Sequence, residues 1–196
     1  MGAILLFDEV ITGFRLCRGG AAEWTGVRPD VWCFGKVIGG GLPMGAYGAS
    51  REIMQHVSPL GGVYQAGTLS GNPLATAAGL TALEHLTVEA YEQLTATATR
   101  LQVGMEAAFA AAGVPAVLPR VGPLLGLFFT DVAPHDFDSA KRAADNGVYP
   151  RFFHGMLERG VALAPGAYEA IFVSLAHTDA IVDETIAAVA EVAETL

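Results

Sequence analysis

The rhythm of apolar and polar positions changes near residue 72. Before it, short apolar runs at residues 4–7, 31–34 and 46–49 are separated by glycine clusters. Runs of this length bounded by turn residues predict strands of an α/β sheet. The first run extends into Ala3-Ile4-Leu5-Leu6-Phe7-Asp8-Glu9-Val10, apolar and then acidic. It reads as a fully buried parallel strand with a neighbour on each side. Lying at the very start, it suggests that the chain is incomplete. Residues 51–57 read as a short helix with Ser50 as N-cap. After Gly71-Asn72-Pro73 the texture is alanine-rich, and helical spacing predicts helices at 74–86 and 89–112. Beyond Gly113 and Pro115 the pattern predicts strands at 116–118, 124–130, 161–164 and 170–176. Helices are predicted at 139–146 and 150–159, with a closing amphipathic helix at 179–194. The change of texture places a domain boundary near residue 87.

Composition narrows the function classes. The 196 residues are 52% apolar and 16% charged, which excludes a disordered or fibrous chain. Mean hydropathy is +0.42, yet no apolar stretch approaches the roughly 18 residues of a spanning helix. Net charge is −9, all of it contributed by residues 84–196, and neither half offers a basic stripe for nucleic acid or anionic lipid. Two cysteines, Cys17 and Cys33, and the lack of an apolar leader behind a basic start point to a reducing, cytoplasmic setting. No Cys/His cluster suggests a metal.

Three segments could carry chemistry. Lys36 is one of only two lysines, in Phe34-Gly35-Lys36-Val37-Ile38-Gly39-Gly40-Gly41, with no acid nearby in sequence. Desolvation there would lower its pKa, as a nucleophilic or Schiff-base lysine requires, while the plain alternative is a lysine snorkelling from a glycine loop. Asp8 and Glu9 end the first strand, where ligands of parallel sheets bind. Asp8 could pair with a protonated cofactor ring nitrogen or cap a turn. A third option, Mg²⁺ beside a nucleotide, lacks the GxxxxGK(S/T) loop that goes with it. Gly67-Thr68-Leu69-Ser70-Gly71-Asn72-Pro73 could hold phosphate through backbone N–H groups, or could simply be a helix start capped by Ser70 or Asn72.

Together these segments resemble the class III, fold-type I pyridoxal-phosphate enzymes. The resemblance runs through residues 6–15, Pro29-Asp30, 35–48 and 64–73, and resumes in Arg151-Phe152-Phe153-His154-Gly155-Met156-Leu157, residues 160–165, Tyr168-Glu169 and Ser174-Leu175-Ala176-His177. It is nearest to the aminomutases that convert glutamate 1-semialdehyde into 5-aminolevulinate for tetrapyrrole synthesis. It implies an α/β fold: the C-terminal part of a large, mainly parallel-sheet domain over 1–87, then a small α+β domain over 88–196. It also implies pyridoxal 5'-phosphate, passing through its pyridoxamine form. Lys36 would be the Schiff-base lysine and proton carrier, Asp8 the partner of the pyridine nitrogen, and Val10 a wall against the ring. Gly67 and Thr68 would bind cofactor, Thr68 reaching the phosphate of a neighbouring subunit, which implies a homodimer. Glu169 would face the substrate. Two departures stand out. The family's N-terminal part, with its phosphate cup and ring-stacking aromatic, has no counterpart here. Pro165 is followed by Gly166-Ala167 where the family reads serine. An ω- or β-amino-acid aminotransferase is the enzymatic alternative, although residues 160–176 lack the arginine many of those carry. An inactive fragment, or a subunit that completes its site with a separate N-terminal half, is the other.

Overall fold

The computed structural model describes residues 2–196. The chain divides into two compact units, the first ending at Tyr91 and the second spanning Glu92–Leu196.

The N-terminal unit contains β1 (Leu6–Glu9), α1 (Gly20–Thr25), β2 (Val31–Phe34), a 3-10 turn (Lys36–Gly39), β3 (Ala46–Ala49), α2 (Arg51–Met54) and α3 (Pro73–His85). The strands form one sheet in the order β1-β2-β3. β1 runs parallel to β2, with Asp8 opposite Cys33, and β3 returns antiparallel, with Ala46 opposite Phe34. Asp30 fixes the register where β2 begins. Its Oδ2 accepts from the Leu5 N–H at 2.8 Å, and its own N–H donates to the Leu5 carbonyl at 2.8 Å. The expectation of a fully buried first strand is corrected. Among the described residues β1 pairs only with β2, and Ile4 and Leu6 are 64% and 53% exposed. With no strand along its outer edge, the apolar run meets solvent.

The C-terminal unit contains most of α4 (Val88–Ala111), then β4 (Arg120–Val121), β5 (Leu124–Leu125), α5 (Phe137–Ala144), α6 (Val148–Glu158), β6 (Ile171–Phe172) and α7 (Asp179–Ala193). Its small sheet, β4-β5-β6, is antiparallel throughout. Phe109 of α4, Phe129 after β5, and Tyr149 and Phe152 of α6 make an aromatic cluster with ring centroids 5.4–6.4 Å apart. Two glycines let helices approach α7. A Cβ at Gly104 would stand 2.6 Å from Ile186 Cγ1, and one at Gly155 would stand 2.9 Å from Val192 Cγ1.

The predicted strand at 161–164 is not a strand, and that at 170–176 shrinks to two residues. These segments are held by other means. The buried Tyr149 donates its phenol proton to the Ala164 carbonyl at 2.8 Å, and His177 Nδ1 accepts from the Ser174 N–H at 2.9 Å. The short helix α1 was not foreseen, because what stabilises it lies outside its own sequence.

Candidate active site

The end of β1 carries two adjacent acids with different surroundings. Successive strand residues face opposite ways, so Glu9 turns inward and Asp8 outward. Glu9 is 1% exposed. Its carboxylate accepts from the Ala21 and Ala22 N–H groups at 2.8 and 2.9 Å, and from the Thr12 hydroxyl at 2.5 Å. It thus serves the free N–H groups at the start of α1, a capping role supplied from eleven residues upstream of Gly20. Gly20 has φ +65°, and a Cβ there would overlap this carboxylate. Asp8 is exposed. Its Oδ1 accepts from the Val10 N–H at 3.0 Å, which leaves Oδ2 without a partner among the described residues. Glu9 is therefore committed to the fold and Asp8 is open to a ligand. Both Glu9 oxygens are thus used within the fold, and no group of three or more His, Cys, Asp or Glu is gathered among the described residues.

Lys36 follows β2 at the same C-terminal edge of the parallel β1–β2 pair. Gly35 is fully extended and Lys36 has φ +47°, a left-handed backbone that residues with a Cβ seldom adopt. Such conformations persist only where their surroundings enforce them, and they gather at functional sites. The Lys36 side chain is exposed and its Nζ has no hydrogen-bond or ion-pair partner among the described residues. A snorkelling lysine on a loose loop would not need this backbone. Val10 flanks the turn, its Cγ1 lying 3.2 Å from where a Gly35 Cβ would be. Asp8, Val10 and Lys36 thus belong to one edge of one sheet.

Gly67 lies in an exposed loop that shares a cleft with Phe34, Met44 and Tyr47. Thr68 is exposed on the same loop. The two readings of this segment separate here. Asn72 caps α3 by accepting from the Leu74 and Ala75 N–H groups at 2.9 and 3.2 Å, and Pro73 has no N–H to offer. The α3 terminus is therefore already satisfied, and the loop groups around Gly67 and Thr68 are what remain for an anion.

Glu169 belongs to the C-terminal unit. It is exposed, and its N–H closes a turn onto the Gly166 carbonyl at 3.1 Å. A tyrosine hydrogen bond and a ring stack hold this segment. Tyr149 anchors Ala164, as described, and Tyr168 stacks on Phe137 at 6.4 Å and 16°. Burial first, and then the Glu169 charge, raise the Tyr149 phenol above its ordinary pKa. Neither anchor was singled out in the sequence, and Phe137 and Tyr168 stack while both remain exposed. In the N-terminal unit burial lowers the pKa of the half-buried Arg15 guanidinium and raises that of Tyr91, whose hydroxyl donates to the Phe14 carbonyl at 3.0 Å.

Comparison with known proteins gives a consistent result. The family described as aminotransferase class-III matches residues 1–189. The glutamate-1-semialdehyde 2,1-aminomutase of Neisseria meningitidis serogroup C, serotype 2a (strain FAM18), is 52% identical over 193 residues, covering 97% of this chain and 45% of that protein. An omega-transaminase from Sphaerobacter thermophilus superposes with a TM-score of 0.84 at 29% identity, over 98% of this chain and 44% of its own. A transaminase with PLP bound gives 0.83 at 26%, over 99% and 44%. The chain thus spans less than half the length of the relatives it matches.

Proposed function

The chain belongs to the class-III aminotransferases, and from that premise we propose that it is the lysine-bearing part of a pyridoxal-phosphate aminomutase that converts glutamate 1-semialdehyde into 5-aminolevulinate. The observation that carries this is the sheet edge shared by Lys36 and Asp8: an exposed amine on an enforced backbone and, at the end of the neighbouring parallel strand, a carboxylate with a free oxygen. The donor set fits the cofactor, since an aldehyde asks for a primary amine and a protonated pyridine nitrogen for a carboxylate. When bound, pyridoxal phosphate supplies an electron sink that stabilises negative charge on the carbon bearing the amino group.

The chain's own residues have these roles. Lys36 Nζ would hold the cofactor by condensing with its aldehyde, with loss of water, and once displaced by the substrate's amino group would carry a proton between substrate and cofactor carbons. Asp8 Oδ2 holds the proton on the pyridine nitrogen, and Val10 backs the ring. Gly67 and Thr68 take up phosphate, Thr68 that of a second copy, so the active form is a homodimer. Glu169 faces the substrate. Residues 1–87 are the large-domain part of the site and 88–196 the small domain. The aminomutase is preferred to an aminotransferase because of the 52% identity to a protein of that name and the lack of arginine in 160–176. Cys17 and Cys33, both free thiols, support a reducing, cytoplasmic setting.

The purified chain mixed with pyridoxal phosphate and then desalted is expected to keep a visible absorbance band that Lys36→Ala lacks. A band of equal strength in the variant contradicts the assignment of Lys36, and none in either protein would mean that this chain holds the lysine without a complete site. The substrate is tested by supplying glutamate 1-semialdehyde to the loaded protein with no external amino acceptor. An aminomutase forms 5-aminolevulinate under these conditions, and an aminotransferase does not turn over.

A further inference from the structure

We propose that Gly79 of α3 is a positioning residue for Lys36, its missing side chain letting the helix backbone seat the Lys36–Gly39 turn directly. The inference rests on the reading of Lys36 as the cofactor-bearing amine. A glycine in the middle of a helix weakens it and calls for a local reason. Here the reason is contact. Gly79 is buried, and a Cβ on it would overlap the Ile38 carbonyl oxygen and stand 2.9 Å from the Ile38 carbonyl carbon. The fit is reciprocal. Gly40, at φ +57°, closes the turn, and a Cβ there would overlap the Ala78 carbonyl and stand 2.9 Å from the Gly79 nitrogen. Two backbones thus meet with no side chain between them, at the turn that begins with Lys36.

This seat explains how Lys36 keeps a left-handed backbone. The turn cannot relax toward α3, because the helix occupies that space, and Gly39 is also packed by Met44, 3.0 Å from where its Cβ would be. α3 is in turn fixed at its start by Pro73 and the Asn72 cap. The helix therefore ties the lysine turn to the Gly67–Gly71 loop that leads into it.

Amide hydrogen exchange on the wild-type chain is the first test. The Gly40 and Leu42 N–H groups donate to the Val37 and Gly39 carbonyls, each at 3.0 Å. They are expected to exchange within about tenfold of the central α3 amides, and exchange a hundredfold faster than α3 overturns the seat. Gly79→Ala is the second test. It is expected to speed exchange at Gly40 and Leu42 at least tenfold, and to lower by at least tenfold the fraction of Lys36 carrying a hydride-reduced pyridoxyl adduct. Leu16→Ala, which costs stability elsewhere in the unit, is expected to leave that fraction unchanged at equal folded protein. An undiminished adduct in Gly79→Ala overturns the inference. Should Gly79→Ala not fold, wild-type exchange alone decides. A wild-type chain with protected turn amides but no Lys36 adduct would overturn the cofactor reading and leave the seat standing.

Discussion

Apart from Pro29 and glycines, the N-terminal unit buries only Leu16, Ala75 and Ala90 among its described apolar residues, whereas the C-terminal unit buries all the remaining hydrophobic core residues. The N-terminal unit instead exposes Ile4, Leu6, Leu60, Tyr64, Leu69 and Leu74. It also holds the residues proposed for chemistry: the left-handed Lys36, the exposed Asp8 and the glycine loop around Gly67. The C-terminal unit closes an aromatic core of its own. A site built by close approach of backbones at a sheet edge needs glycine where a core would put leucine, so stability and chemistry draw on different residues here. Relatives are more than twice as long as this chain.

Breaking the C-terminal core should have the largest effect. Phe152 is fully buried against three aromatic rings. Phe152→Ala is expected to cost about 3–5 kcal/mol in denaturant unfolding. Leu6→Ala, on the half-exposed edge, should cost less than about 0.5 kcal/mol. Similar costs for the two would erase the contrast. The two tryptophans, Trp24 and Trp32, both lie in the N-terminal unit. Tryptophan fluorescence is therefore expected to report unfolding at lower denaturant than far-UV circular dichroism, which is dominated by the helices of the second unit. Coincident curves would mean a single cooperative unit.

Within the first unit, Glu9→Gln should cost about 1.5–3 kcal/mol, the range for hydrogen bonds to a charged group. The change should be seen first in Trp24 fluorescence, since Trp24 lies on the helix that Glu9 caps. Asp8→Asn at the neighbouring position should leave stability nearly unchanged. A smaller effect is expected at Tyr149. Tyr149→Phe strands the Ala164 carbonyl, at about 0.5–1.5 kcal/mol. Because burial raises the phenol's folded pKa above its unfolded value, the folded state holds the proton more tightly. That stabilisation is complete below about pH 10 and is lost as pH rises through the raised value. Tyr149→Phe should flatten this alkaline decline, measured as melting temperature against pH.

Much of this was legible in the sequence. The Asn72-Pro73 start of α3, the Ser50 cap of α2 and the strands at 31–34 and 46–49 rest on local chemistry, and local chemistry is what a sequence displays. Asp8 and Lys36 were visible as an acid at a strand end and a lone lysine among glycines. What stayed hidden depends on distant partners. Nothing around Gly20–Thr25 announces that Glu9 caps it, and an apolar run cannot show whether a second neighbour is there to bury it. Residues 161–164 are apolar enough for a strand but are tied down by a tyrosine hydroxyl. The left-handed Lys36 was masked by the glycines beside it, any of which was a better candidate for that backbone. Gly79 left one faint sign, a lone glycine inside a helical pattern.

The most direct test of the account is to map where pyridoxal phosphate attaches. The chain is loaded, reduced with hydride and cleaved, and the pyridoxyl label is located by mass spectrometry on its two lysines. The account predicts label on Lys36 in large excess over Lys141, which is exposed and ion-paired with Asp145 on α5, and an unchanged pattern in Lys141→Ala. Equal labelling of the two lysines would show Lys36 to be an ordinary surface amine and contradict the account.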